Sequence, residues 1–327
     1  MATDGFSLLR LGLCCQFAEE PIQFRTTTAT SLQRMRVSER LQKLSDLCLA
    51  NARALFKAVH YCADHAIGSF RIASTILPAK THPEVGYQVD KLPAGDEIVE
   101  QFRRCGEAAK KNDLRLVFHP DQFVVLNSPR LEVVANAVKD LIYHAELCDW
   151  LGADVINIHG GGAYGEKQSA LATLERNLDL LPDNVRSRLT LENDDKVYTP
   201  ADLLPICRRT GIPLVYDVHH HRCLPDGAGP NETTDHAMAT WDREPLFHIS
   251  SPLAGWDGPQ PHRHHDYVDV RDVPDYWRSM ALTVEVEAKA KELAVLKLRD
   301  ELRLAEQLSA DSSPGNDDKA SMPRRPR

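Results

Sequence analysis

The chain has 327 residues, enough to bury a large core as one α/β barrel or as two smaller domains, and its 43% hydrophobic and 26% charged residues exclude disorder throughout. A formal net charge of −8 excludes a broad basic face for nucleic acid, although three bound divalent ions would add six charges and bring the total to about −2. No apolar run reaches membrane length, and "MATDGFSLLRLGLCC" has acid and polar breaks where a signal peptide needs base and an apolar stretch, so a soluble, cytoplasmic protein is expected.

Short β-branched runs alternate with longer helical patterns, the signature of a parallel sheet built from βα units. "LLRLGLC" reads as the first strand, followed by a helical pattern over 37–67 with Ser38 as its N-cap candidate. "SFRIAS" and "RLVFHP" come next, then a helix over 128–152 that opens on Ser-Pro and closes on Gly152. After "DVINIHG" and "RLTLEND", the segment "TPADLLPICRRTG" has Thr199 to start a helix and Gly211 to end it. "PLVYDVH", "PLFHIS" and "ALTVEVEA" complete eight strands, the number that closes a single (β/α)8 TIM-type barrel, here assigned to residues 1–309. A long amphipathic helix ends that domain, and 310–327, rich in Pro, Ser and charge without periodicity, is expected to be a disordered tail. The eight cysteines form no C-x-x-C pair and are expected to be reduced.

In such a barrel the active site lies at the C-terminal ends of the strands. Those ends carry His82 in the loop beyond "SFRIAS", His119, His159, Glu192, Asp217 with His219, His220 and His221, then His248, and finally Glu285 and Glu287. One such residue on an apolar strand is more often satisfied by a neighbouring backbone group, but six or more strands doing so independently is improbable. Carboxylates that bridge and imidazoles that fill terminal positions suit Mn, Zn or Fe at a multinuclear site. The run "VYDVHHHRC" is internal and follows an apolar strand, which argues against a tag. His60, His65, His144 and His236 fall within helical patterns and are expected to be structural or surface residues.

"HPDQF" (119–123), "NIHGGGAYGEK" (157–167), "LENDD" (191–195), "DVHHH" (217–221), "HISSP" (248–252) and "EAKAKE" (287–292) together resemble the signature set of the UV damage endonuclease family, in the same order and spacing. The resemblance implies an endonuclease IV-like (β/α)8 barrel with up to three divalent ions, Mn2+ foremost, with Mg2+, Co2+ or Zn2+ as alternatives. It implies a monomeric DNA repair enzyme that binds damaged double-stranded DNA and nicks it immediately 5′ of photoproducts (cyclobutane dimers and 6-4 products), leaving a 3′-OH and a 5′-phosphate. Carried over by motif, the metal ligands are His82, His119, His159, Glu192, Asp217, His220, His248, His264 and Glu287, with Glu192, Glu287, Asp217 and His248 as catalytic residues. His262 and His265 compete with His264. Strict strand alternation would favour His219 and His221 over His220, and Glu285 shares a face with Glu287.

The resemblance also places Gln122 and Phe123 as a wedge in the duplex, with Lys167 on a phosphate and Asn193 facing DNA. Two departures stand out: Leu246 occupies a position where the family often has a lysine serving the metals, and Leu13 and Phe17 stand where it tends to have Tyr and Asn. The competing readings are a metal-dependent sugar isomerase or epimerase on the same barrel, an endonuclease acting chiefly at abasic sites, and a non-catalytic lesion-binding protein with a crippled metal site.

Overall fold

A computed structural model describes residues 9–311. Eight parallel strands run in the order β6-β5-β4-β3-β2-β1-β8-β7. They are β1 (Leu9–Cys14), β2 (Ser69–Ile72), β3 (Arg115–Phe118), β4 (Val155–His159), β5 (Leu189–Glu192), β6 (Leu214–Val215), β7 (Leu246–Ile249) and β8 (Leu282–Val286). The ring closes through a parallel bridge between Asp217 and His248, where the His248 backbone N–H donates to the Tyr216 carbonyl at 3.0 Å. The last seam of the barrel is thus made by two site residues.

The strands are short and mostly buried on both faces, as expected when helices cover the outside. The covering helices are α1 (Ala29–Gln33), α2 (Val37–Asp64), α3 (Gly95–Lys111), α4 (Leu131–Leu151), α5 (Lys167–Asp179), α6 (Asp183–Arg186), α7 (Pro200–Thr210), α8 (Val218–Cys223), α9 (Pro230–Met238) and α10 (Glu292–Asp311). Local signals explain several ends. Thr199 and Asp202 form a capping box ahead of Pro200, and α7 stops at Gly211 with φ 71°, a left-handed value that suits glycine. Gly152, at φ 68°, ends α4 in the same way. Ser38 is not a cap: α2 begins at Val37 after an extended Arg36, and no side chain caps it. Residues 312–327, most of the expected tail, lie outside the described residues, and α10 continues through Asp311.

Alternation sets the barrel interior. Val117, Val155, Val215 and Leu246 form one buried apolar cluster, and two residues further along three of those strands stand His119, Asp217 and His248. Leu246 therefore contributes to an apolar floor beneath the site. All eight cysteines are free thiols, and most are buried. Among the described residues no helix is long and apolar enough to cross a membrane.

Candidate metal centre

Inward-facing strand ends, with the short helix α8 for His220, bring His119, Glu192, Asp217, His220, His248 and Glu287 together. Three groupings place one ligand atom from each member within 4.8 Å of the others: His119 with Glu192 and His248, Glu192 with Asp217 and His220, and Asp217 with His248 and Glu287. Glu192, Asp217 and His248 each belong to two of them, so ions held there would share ligands. Glu192 is central. Its Oε2 lies 2.9 Å from His119 Nε2, while its Oε1 lies 3.1 Å from His248 Nδ1 and 3.4 Å from His220 Nδ1.

Neighbouring groups hold these side chains in place. His119 Nδ1 lies 3.0 Å from the Pro120 carbonyl, which takes that ring proton and leaves Nε2 for Glu192 or an ion. Asn157, two residues before His159 on β4, donates from Nδ2 to Glu192 Oε2, and the Thr190 hydroxyl donates to Asn157 Oδ1 at 2.9 Å. The Thr190 bond fixes which end of the amide faces Glu192.

The donor set fits divalent cations. Glu192 Oε1, Asp217 Oδ2, His159 Nδ1, His219 Nε2 and His248 Nδ1 are buried without a hydrogen-bond partner among the described residues. Such groups are costly to leave bare, and those of Glu192, Asp217 and His248 belong to residues that the groupings bring together, as a coordination site requires. In the protein alone, cationic side chains balance the carboxylates. Burial by itself would raise the Glu192 carboxyl, but the nearby rings of His248, His159, His119 and His220 outweigh it and hold the group well below the usual carboxylate range. For His248 burial works downward, yet Glu192 and Glu285 prevail and raise its pKa to about 10. His220 is likewise raised against burial, first by Asp217 and then by Glu192. Burial wins at His159 and His219, whose pKa values are lowered, which favours the neutral rings that ligation needs.

The histidine run is arranged by a change of period. Asp217 accepts from the His220 backbone N–H at 2.8 Å and caps the short helix α8, so side chains three apart, rather than two apart, share a face. His220 Nδ1 thereby comes within 3.4 Å of Asp217 Oδ2. His221 turns away to the Tyr216 hydroxyl and the Asp226 carboxylate, at 2.9 and 2.8 Å.

Other expected residues surround the cluster or stand apart from it. The His159 ring packs 5.1 Å from that of His119 and 5.9 Å from that of His220. Of the three histidines in the loop over 250–267, His264 faces the cluster, with Nδ1 3.7 Å from Glu287 Oε2, whereas His265 Nδ1 accepts from the Tyr267 backbone N–H. His82 is outside all three groupings, and its Nδ1 accepts from the backbone N–H of Glu84 and Val85. Asn193 is buried and engaged with backbone: it accepts from Asp217 N–H at 3.0 Å and donates to the Asp217 carbonyl at 2.9 Å. These two bonds tie the end of β5 to that of β6. Lys167 is half-exposed and pairs with Asp202 at 2.6 Å. Gln122 and Phe123 project from the loop after His119, with Phe123 76% exposed.

Sequence reasoning missed Asn157 and Arg71. Arg71 is buried on β2, pairs with Glu287 at 2.7 Å and donates from Nε to Glu285 Oε2 at 2.6 Å. Both residues face inward by simple alternation, Asn157 from His159 and Arg71 from Ser69, and that was the available signal.

A family model described as UV-endonuclease UvdE matches residues 9–314. The chain belongs to that family. As a member of it, the protein is an endonuclease of DNA repair. A UV DNA damage endonuclease from Bacillus velezensis is 38% identical over 290 residues, covering 85% of this chain and 88% of the relative. The crystal structure of SacUVDE aligns with a TM-score of 0.80 at 29% identity, over 92% of this chain and 99% of that one. Endonuclease IV from Thermus thermophilus aligns at 0.58 and 17% identity, over 91% and 99%, a likeness of fold.

Proposed function

We propose that this protein nicks damaged double-stranded DNA at the phosphodiester immediately 5′ of cyclobutane dimers and 6-4 products, leaving a 3′-OH and a 5′-phosphate, with two or three Mn2+ ions. The observation that carries the reading is the set of three overlapping groupings at the mouth of the barrel, linked by Glu192, Asp217 and His248. Bound there, divalent ions would acidify water and offset charge on the phosphoryl oxygens, the two requirements of phosphodiester hydrolysis. Glu192, Asp217, Glu287, His119, His220 and His248 would hold them, with His159 and His264 beside these. The carboxylates supply negative charge in a buried site, and the imidazoles supply neutral donors whose far nitrogens are fixed by backbone or carboxylate partners.

Recognition has a separate requirement. A photodimer stacks poorly and is cheaper to extrude than normal bases. Phe123 is a large apolar ring left exposed close to the cluster in sequence, next to the exposed amide of Gln122, and this supports their role as a wedge that refills the vacated stack. Phe123→Ala is expected to lower kcat/KM on a dimer-containing duplex about tenfold, in line with one lost stacking contact, while bound metal is unchanged. Equal rates for Phe123→Ala and the natural protein would remove the ring from recognition.

The decisive assay is cleavage of an end-labelled duplex with a single cyclobutane dimer, run with Mn2+ and with EDTA beside an undamaged control. A Mn2+-dependent nick mapped to the bond 5′ of the dimer is expected. A metal-loaded, folded protein that cuts no damaged duplex would overturn the proposal and turn attention to small sugar substrates.

A further inference from the structure

We propose that Glu285 is a positioning residue of the metal centre: its Oε2 holds the Nε2 proton of His248 and so turns Nδ1 of that ring towards Glu192 and Glu287. The proposal rests on the metal-dependent reading above. It starts from register. β7 and β8 pair His248 with Glu285 and Leu246 with Thr283. His248 stands two residues beyond Leu246 on one strand, and Glu285 lies beside it on the next. Leu246 belongs to the apolar floor and offers no charge there, so the acid partner of His248 comes from across the strand pair. Gly12 on β1 leaves room for it, since an added Cβ would sit 3.3 Å from Glu285 Cγ and 3.1 Å from Ser69 Cβ.

The geometry then divides the two ring nitrogens. His248 Nε2 lies 3.0 Å from Glu285 Oε2, and Nδ1 lies 3.1 Å from Glu192 Oε1 and 3.5 Å from Glu287 Oε1. A neutral imidazole has one N–H and one lone pair, so the partner at Nε2 decides what Nδ1 can do. Two groups compete for Nε2. Glu285 requires a proton on it, whereas Arg71, with one guanidinium nitrogen 3.0 Å away, can only donate to it and so requires a lone pair. Arg71 also donates to Glu285 Oε2 and pairs with Glu287 Oε1 at 2.7 Å. The carboxylate thus occupies the arginine and claims the imidazole proton together. Without it, Arg71 becomes the partner of Nε2, the proton moves to Nδ1, and the atom facing Glu192 can no longer bind a cation.

Two readouts test this, neither of which needs DNA. In Zn2+-loaded protein labelled with 15N-histidine, NMR is expected to show the His248 proton on Nε2; a proton on Nδ1 overturns the proposal. In Glu285→Gln, whose amide keeps the shape but lacks the charge, Mn2+ affinity measured by chelator competition is expected to fall about 10- to 100-fold at one position. The kcat should fall with it while KM for DNA stays level. Unchanged Mn2+ affinity and number in a folded Glu285→Gln protein would also overturn it, and Glu285→Asp, which keeps the charge, should recover part of the loss. If Glu285→Gln does not fold, the NMR result on the natural protein decides alone. A natural protein that binds Mn2+ yet does not cut a dimer-containing duplex would sink the proposed reaction and still leave both binding readouts to judge Glu285.

Discussion

Glu192→Gln is expected to slow nicking by roughly a thousandfold and to leave the protein short of metal. The substitution is isosteric, so its effect depends on which atom goes where. Asn157 Oδ1 accepts from the Thr190 hydroxyl, so its Nδ2 points at Glu192 Oε2 and will accept only an oxygen there. A glutamine must therefore place its carbonyl against Asn157 and its NH2 where Oε1 now stands, 3.1 Å from His248 Nδ1. That position belongs to a buried oxygen without a hydrogen-bond partner, the one best placed to bind a second ion. An amide nitrogen there offers hydrogens and no lone pair, so one ion can still be held but sharing between ions is lost. Metal content after gel filtration and the nicking rate on a dimer-containing duplex check this together. A Gln variant with full metal and a rate within tenfold of the natural protein would show that Glu192 does not link the ions.

Much of this site was legible because period-two alternation and short strands leave few choices. Once "VINIH", "LTLE" and "LFHI" are strands, His159, Glu192 and His248 must face inward, and the helices that cover the outer face leave them no other outlet. The histidine run is less legible from alternation, which selects His219 and His221. Asp217 ends the strand rule by capping α8, and the helical period then brings His220 over it. The choice between Glu285 and Glu287 was open for a different reason. Both face inward on one strand, and only the neighbouring strands show that Glu285 sits beside His248 and Arg71 while Glu287 reaches the grouping with Asp217. The burial of Asn193 was not legible either, because its amide pairs both backbone groups of Asp217, a tertiary bond with no local sequence signature.

Metal binding should strengthen steeply with pH, by roughly ten-thousandfold in the overall binding constant between pH 6 and pH 8, if two imidazoles each exchange one proton. The sign follows from the groups themselves. His248, with a pKa near 10, and His220, also raised, carry protons at neutral pH in the metal-free protein, and both must lose them to become ligands. Burial would raise both Glu192 and Glu287, but His248 outweighs it at the first and Arg71 at the second, and both stay well below the usual range. They are therefore ionised throughout and add no opposing dependence. Isothermal titrations with Mn2+ in buffers of different protonation enthalpy should report up to two protons released per fully loaded protein. The same linkage sets the stability of the protein without metal. A histidine whose folded pKa is raised stabilises the fold fully below its unfolded pKa of about 6.5, and that contribution is lost as pH climbs through the folded value. In EDTA, thermal stability should therefore decline from about pH 6.5 towards pH 10, because the buried carboxylates lose the imidazolium charges that balance them. Added Mn2+ should restore it most strongly at the alkaline end, where the ion replaces those charges without displacing protons. A Mn2+ affinity that is flat with pH would mean that the histidines are already neutral, and the balance of charge assigned to this cluster would have to be redrawn.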